Sequence, residues 1–286
     1  MEVAIRSEVL LGEGPRWDAA AGRLLWVDIE ACALHLSDPA DGSDRAIPLG
    51  NRVGAAAPTE AGGVLVALAD RLAVVDLDDE SVRTLVEIPH GEGLRLNEGA
   101  CDPAGRFWVG SLALDYTPGA GALYRCSRDG GLERVLDGVT ISNGLAWSPD
   151  GGTMYYVDSM TYRVDAFDFD HATGAVSDRR PFVRIERGAG IPDGLAVDDE
   201  GCVWVALWGG GALRRYSPEG VLDRVLAVPA DKVTACCFGG DDGRSLYVTT
   251  AAVDLTPEQR RRQPLAGSVF VTDAAVSGPP AQPFAG

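Results

Sequence analysis

Short runs of alternating apolar and polar residues, broken by glycine, proline and aspartate, fill this chain from end to end. Such runs read as β-strands joined by tight turns, because a period of two sends successive side chains to opposite faces of a sheet. One phrase recurs: a polar residue, a glycine, a short apolar strand, a turn with Asp, Pro or Gly, then a second strand rich in Val, Trp, Tyr and Leu. Its clearest copies are EGPRWDAAAGRLLWVDI from Glu13, EGACDPAGRFWVGSL from Glu98, NGLAWSPDGGTMYYVDS from Asn143 and DGLAVDDEGCVWVALW from Asp193. Weaker copies, VGAAAPTEAGGVLVALA from Val53 and TACCFGGDDGRSLYVTTA from Thr234, bring the count to six at intervals of 40, 45, 45, 50 and 41 residues.

A period of that length signals blades or solenoid units. Third and fourth strands follow in most units, as in ALYRCSRDG then LERVLDG. Four strands repeated six times predict an all-β, six-bladed β-propeller of antiparallel strands, spanning residues 1–286 as one domain. The amphipathic helices that parallel βαβ units require are missing. The opening strand VAIRSEVLL is placed to pair with the closing strand SVFVTD, so that N-terminal and C-terminal strands join the ring and remove its exposed edges. LTPEQRRRQ, from Leu255, reads as a surface turn or short helix. Trp26, Trp108, Trp147, Trp204 and Cys236 fall at strand positions expected to pack between blades.

Composition narrows the partners. Forty-two acidic residues against 25 basic ones give a net charge of −17, which repels nucleic acid and acidic membrane surfaces. No stretch approaches the ~20 apolar residues that cross a bilayer, and the N-terminal residues lack a secretory pattern, so a cytoplasmic protein is expected. Six scattered cysteines contain no CxxC pair and read as reduced core residues. The three histidines share no ligand spacing, and neither a G-x-S-x-G elbow nor a nucleotide-phosphate loop occurs.

The candidate chemistry lies in the repeat itself. The innermost strand of each propeller blade starts near one mouth of the central channel, so equivalent repeat positions converge. The slot before the repeated glycine holds Glu13, Val53, Glu98, Asn143 and Asp193, with Thr234 before an alanine in the sixth unit. Acidic groups gathered around one axis repel and lose hydration, and a cation is the natural compensation. Glu13, Asn143 and Asp193 supply hard oxygen donors suited to one divalent metal ion, whether Ca²⁺, Zn²⁺, Mn²⁺, Mg²⁺ or Fe²⁺. Arg95, Asn97 and Glu98, at the mouth of the third blade, and Asp115, on the loop after the next strand, are candidates for binding substrate hydroxyl and carbonyl oxygens.

At these residues the chain resembles the senescence marker protein 30 family, the regucalcin or gluconolactonase-like sugar lactonases. The phrases LGEGPRWD, RLNEGACDPAGRFWVGSL, ISNGLAWSPD, YYVDSMTYRVDAFDFD, IPDGLAVDDEG, CCFGG, RRQPLAGSVF and FAG carry the resemblance in order over nearly the whole chain. It implies a propeller binding one divalent metal through Glu13, Asn143 and Asp193, with Arg95, Asn97 and Asp115 at the substrate positions. One departure is Asp115, where the animal members carry Glu, followed by a short lid loop, DYTPGAG.

The expected function is metal-dependent hydrolysis of a sugar (aldono-1,4- or 1,5-) lactone to the aldonic acid. The metal polarises the carbonyl, and Asp193 accepts the proton of the attacking water. Two other readings use the same site: an organophosphate or aryl ester hydrolase, and a non-catalytic calcium-binding propeller. The expected partner is a small-molecule sugar lactone, with no nucleic acid and no membrane, and the chain is expected to be a monomer, a dimer being the other option.

Overall fold

The computed structural model describes residues 1–286. Six four-stranded antiparallel sheets stand in a ring; in five of them the strands run outward in chain order, and in the sixth the outermost strand comes from the N-terminus. The innermost strands are Gly12–Asp18, Val53–Pro58, Leu94–Cys101, Ser142–Trp147, Ile191–Val197 and Val233–Gly239. They define blades one to six, and each packs against the innermost strands of its two neighbours. Burial falls off outward: every residue of Gly12–Asp18 is buried, whereas the outermost strand of blade one, Ser43–Pro48, buries only Ile47. That gradient follows from a strand that is covered on both faces at the channel and exposed at the rim.

Closure occurs as the terminal strands predict. Glu2–Ile5 pairs antiparallel with Val269–Asp273 in the sixth blade, with Val3 opposite Phe270. The outer edge of blade six therefore comes from the N-terminus, and the ring is latched where its two ends meet. Between blades the core is aliphatic and aromatic: Leu25, Val27, Val53, Val64 and Val66, for example, fill the space between blades one and two.

Three tryptophans are core residues with satisfied N–H groups. Trp26 donates to Ser37 Oγ at 2.8 Å, Trp108 to Asp102 Oδ2 at 3.0 Å and Trp204 to Asp198 Oδ2 at 2.8 Å. Cys236 is buried as expected. Trp147 departs from the expectation: its side chain is half-buried, lines a cavity at the lower end of the channel, and its indole N–H has no partner. LTPEQRRRQ contains a helix, Pro257–Arg262, started by a capping box between Thr256 and Gln259 and exposed throughout. No helix is long and apolar enough to cross a membrane.

Past the last strand the chain crosses the lower face of the ring. Ser277 O accepts from Asp199 N in blade five, Gly278 N donates to Gly243 O in blade six, and Ala281 N donates to Trp17 O in blade one. Phe284 is fully buried between blades two and three, its N–H on Pro58 O and its carbonyl on Glu60 N. This strap ties five blades together.

Candidate metal centre

The repeat slot is where each innermost strand breaks register. Pairing between the first and second strands shifts at Glu13/Arg16, Val53/Ala55, Leu96/Gly99, Ser142/Leu145, Pro192/Leu195 and Val233/Ala235. A bulge re-aims a side chain that regular pleating would turn into the sheet, and six in phase turn six slots toward one axis. The glycine that follows serves two needs. Gly14 adopts φ +52°, the left-handed region open to glycine, and donates its N–H to Glu13 Oε2 at 3.2 Å. At Gly194 the need is space, since a Cβ there would lie 2.4 Å from Ala235 Cβ on the next blade.

Glu13, Arg95, Asn97, Glu98, Asn143 and Asp193 are all buried, between 1% and 8% exposed, although every one is polar. Blades three and four are joined by a hydrogen-bond chain. Arg95 Nη1 donates to Asn97 Oδ1 at 2.7 Å; Asn97 Nδ2 donates to Ser142 O at 2.7 Å and Asn143 Oδ1 at 3.1 Å. Asn143 Nδ2 then donates to Ser159 Oγ at 2.9 Å, and Ser159 donates to Pro192 O at 2.7 Å. The last link reaches blade five one residue before Asp193. Both carboxamides are therefore held in one orientation, with Asn143 Oδ1 on the Asn97 side.

The carboxylates are under electrostatic stress. Burial, reinforced by the charge of Glu98, pushes the Glu13 carboxyl up to about 8. Asp193 rises well above its ordinary value from burial and then from repulsion by Glu13 and Glu98. Glu98 is raised by burial and partly relieved by Arg16, whose Nη2 donates to its Oε1 at 3.2 Å. Burial pulls Arg95 down, opposed by the charge of Glu13. Asp193 Oδ1 and Glu98 Oε2 are buried with no hydrogen-bond partner. Buried oxygens left unpaired among like charges lack a counter-charge, and the donor set of Glu13, Asn143 and Asp193 fits a hard divalent cation.

Asp115 stands apart from this cluster. It is exposed on the loop beyond the strand paired with Arg95, and Thr117 N donates to its Oδ1 at 3.0 Å, which holds its carboxyl below the ordinary range. Two functional neighbours escape the sequence reading. Ser159 opens a short 3₁₀ turn at the very end of the blade-four phrase, past its second strand. Arg16 had a signal: three residues after the slot the other blades carry Ala56, Cys101, Ala146, Ala196 and Cys237, so Arg16 is the one charged side chain in a position otherwise small and uncharged.

A second group of ligand-type residues, Asp198, Glu200 and Cys202, clusters in the hairpin of blade five. Its charge is already answered. Asp198 accepts from Arg215 Nε and Trp204 Nε1, each at 2.8 Å, and from two backbone N–H groups, while Arg215 also pairs with Glu200. Arg215, paired with both carboxylates, makes this a structural ion-pair cluster.

Fold and site together define a six-bladed propeller with an acidic, polar-lined channel mouth. Residues 11–252 match the model of the SMP-30/Gluconolactonase/LRE-like region. The chain is 39% identical to regucalcin of Gallus gallus over 96% of its length and 95% of the relative's. It is 36% identical to YvrE of Bacillus subtilis (strain 168), which bears the provisional name sugar lactone lactonase, over 98% of this chain and 97% of the other. Among solved structures, a calcium-binding protein, regucalcin, from Agrobacterium tumefaciens superposes with TM-score 0.94 at 29% identity, covering 99% of this chain and 96% of that one. The chain belongs to the SMP-30/gluconolactonase/LRE-like family.

Proposed function

We propose that this chain hydrolyses a sugar lactone to the corresponding aldonic acid at the channel mouth. The observation that carries the reading is a pair of buried, mutually repelling carboxylates, Glu13 and Asp193, with Asp193 Oδ1 unpartnered and within the field of the Arg95 guanidinium, which Asn97 orients. The family match and the provisional name of the Bacillus relative point to the same substrate class. The calcium-binding regucalcin relative supports a divalent ion, which Glu13, Asn143 and Asp193 would hold.

Such an ion supplies Lewis-acid polarisation of the substrate carbonyl. The chain's own residues do the rest. Arg95 presents a rigid fork of donors to carbonyl and hydroxyl oxygens, Asn97 fixes that fork, and Asp115 at the rim accepts from sugar hydroxyls. Asp193 receives the proton of the attacking water as the new C–O bond forms. The ring C–O bond then breaks, and the departing alkoxide takes a proton to give the hydroxy acid.

The test is a pH-stat panel on chelator-stripped protein with Ca²⁺, Zn²⁺, Mn²⁺, Mg²⁺ or Fe²⁺ added back, against aldonolactones and a phosphotriester. Lactone turnover restored by one of these ions is expected. A folded Asp193→Ala protein that binds no metal yet opens gluconolactone at the full rate would overturn the proposal.

A further inference from the structure

One stretch of the channel rim carries charge that takes no part in the ion-binding trio. Arg52 stands one residue before Val53, the slot of blade two, at the place Asn97 holds in blade three. In the other blades that place is Gly12, Ser142, Pro192 or Val233, so Arg52 is the one charged side chain there. Its Nη2 donates to Glu30 Oε2 at 2.9 Å across the seam between blades one and two. Glu30 lies in the turn after the second strand of blade one, Arg23–Asp28, where Ile29 N donates to Leu11 O and Glu30 N to Asp28 Oδ1, each at 3.1 Å. Leu11 precedes the Glu13 slot by two residues, so at ~3.3 Å per residue this turn stands on the order of 7 Å from the slot, toward the mouth.

The pair borders the substrate fork. A Cβ on Gly14 would meet Gly54 O at 3.7 Å, and one on Gly54 would lie 2.6 Å from Asn97 O. The first three blades therefore meet backbone to backbone beside the slots, which brings the rim of blade two close to Arg95. Arg95, lowered chiefly by burial, next feels Glu13, Tyr116, Arg52 and Glu30 in that order. The Arg52 and Glu30 side chains are 39% and 29% exposed, and Arg52 Nε and Nη1 and Glu30 Oε1 have no protein partner. An ion pair so exposed adds little to stability. Its two charges cancel, which favours a neutral ligand, and it offers open donors beside an open acceptor. A vicinal diol matches that set, because each hydroxyl both donates and accepts.

Resting on the lactonase reading above, we propose that the Arg52–Glu30 pair is a subsite for the exocyclic diol of the substrate. The enzyme then prefers six-carbon aldono-1,4-lactones, whose ring carries a two-carbon diol tail, over four-carbon lactones, which carry none. The carbonyl lies at the trio of Glu13, Asn143 and Asp193, the ring hydroxyls at Arg95 and the tail at the rim.

Galactono-1,4-lactone and erythronolactone are the probes with and without a tail. Arg52→Leu and Glu30→Leu are each expected to narrow the kcat/KM ratio between them about tenfold or more, through KM and not kcat, because they remove hydrogen bonds to a charged group that ground state and transition state share. Glu30→Gln keeps an acceptor and is expected to lose less. Calorimetry with the products galactonate and erythronate, which share the carboxylate and differ in the tail, is expected to show the same narrowing without turnover. Melting temperatures of the variants are expected to match the parent. An unchanged ratio in both folded leucine variants, or a loss carried by kcat, overturns the proposal. If no lactone is turned over, the lactonase reading fails, and the two aldonate affinities still decide for or against the subsite.

Discussion

Asn97 Nδ2 donates to Asn143 Oδ1 at 3.1 Å across the seam between blades three and four. The contact orients the one neutral member of the candidate ligand set through a residue that also anchors Arg95. Asn97→Leu removes both donors of Asn97 and the acceptor for Arg95. Lactone kcat/KM is expected to fall by about 10²-fold or more, the scale seen when a positioning contact is lost. Melting curves with and without added metal check that the loss is not one of folding.

Asp193→Asn is expected to move activity and stability in opposite directions. Neutralising a buried carboxylate that is raised by burial and by Glu13 and Glu98 relieves repulsion, so the metal-free variant should be more stable by about 1–3 kcal/mol. Its metal affinity and turnover should fall sharply. Urea unfolding in chelator, paired with metal titration, reads both.

The Glu13 carboxyl gives the metal-free protein a pH dependence of defined sign. With its folded-state value at about 8 against an ordinary 4.5, the native state holds a proton that the unfolded state has released. Stability should therefore be highest below about pH 4.5 as far as this group is concerned and decline as pH rises toward 8. The slope is roughly 1.4 kcal/mol per pH unit at most. Urea midpoints measured from pH 5 to 8 in chelator should fall, and saturating divalent ion should flatten the trend. Glu13→Gln should make the trend shallower without abolishing it, because the Asp193 and Glu98 carboxyls are raised as well.

Phe284 is fully buried eleven residues beyond the last strand, which ends at Asp273. Phe284→Ala should cost about 3–5 kcal/mol, as for any large core aromatic. Deleting the chain after Gly278 should cost at least as much, because the strap's hydrogen bonds to blades one, two and three go with it. Denaturant unfolding of both variants checks this.

The Asp198, Glu200 and Cys202 cluster makes the opposite prediction to the channel site. With Arg215 answering its charge, Glu200→Gln should leave metal stoichiometry and affinity unchanged. Calorimetry against the wild type reads the difference.

The sequence by itself determined the ring. Its six in-phase phrases specify which strand of each blade is innermost, because successive antiparallel strands of a blade step outward from the channel, and the slot before the glycine marks the channel mouth. Equivalent positions must converge in a closed ring, so Glu13, Asn143 and Asp193 were legible without coordinates. Tertiary structure decided the rest. Arg16 and Glu98 lie 82 positions apart and Asn97 and Asn143 46, separations across which no local pattern operates. Ser159 joined the site through the turn that follows the second strand of blade four, at a position the slot pattern does not mark. Asp115 is exposed on its loop, where its carboxylate accepts from the N–H of Thr117, a placement the strand pattern does not specify. Trp147 falls on an innermost strand, whereas Trp26, Trp108 and Trp204 lie on second strands, and only the packed ring shows its N–H unanswered, because hydrogen-bond satisfaction depends on what the surrounding elements place opposite a donor.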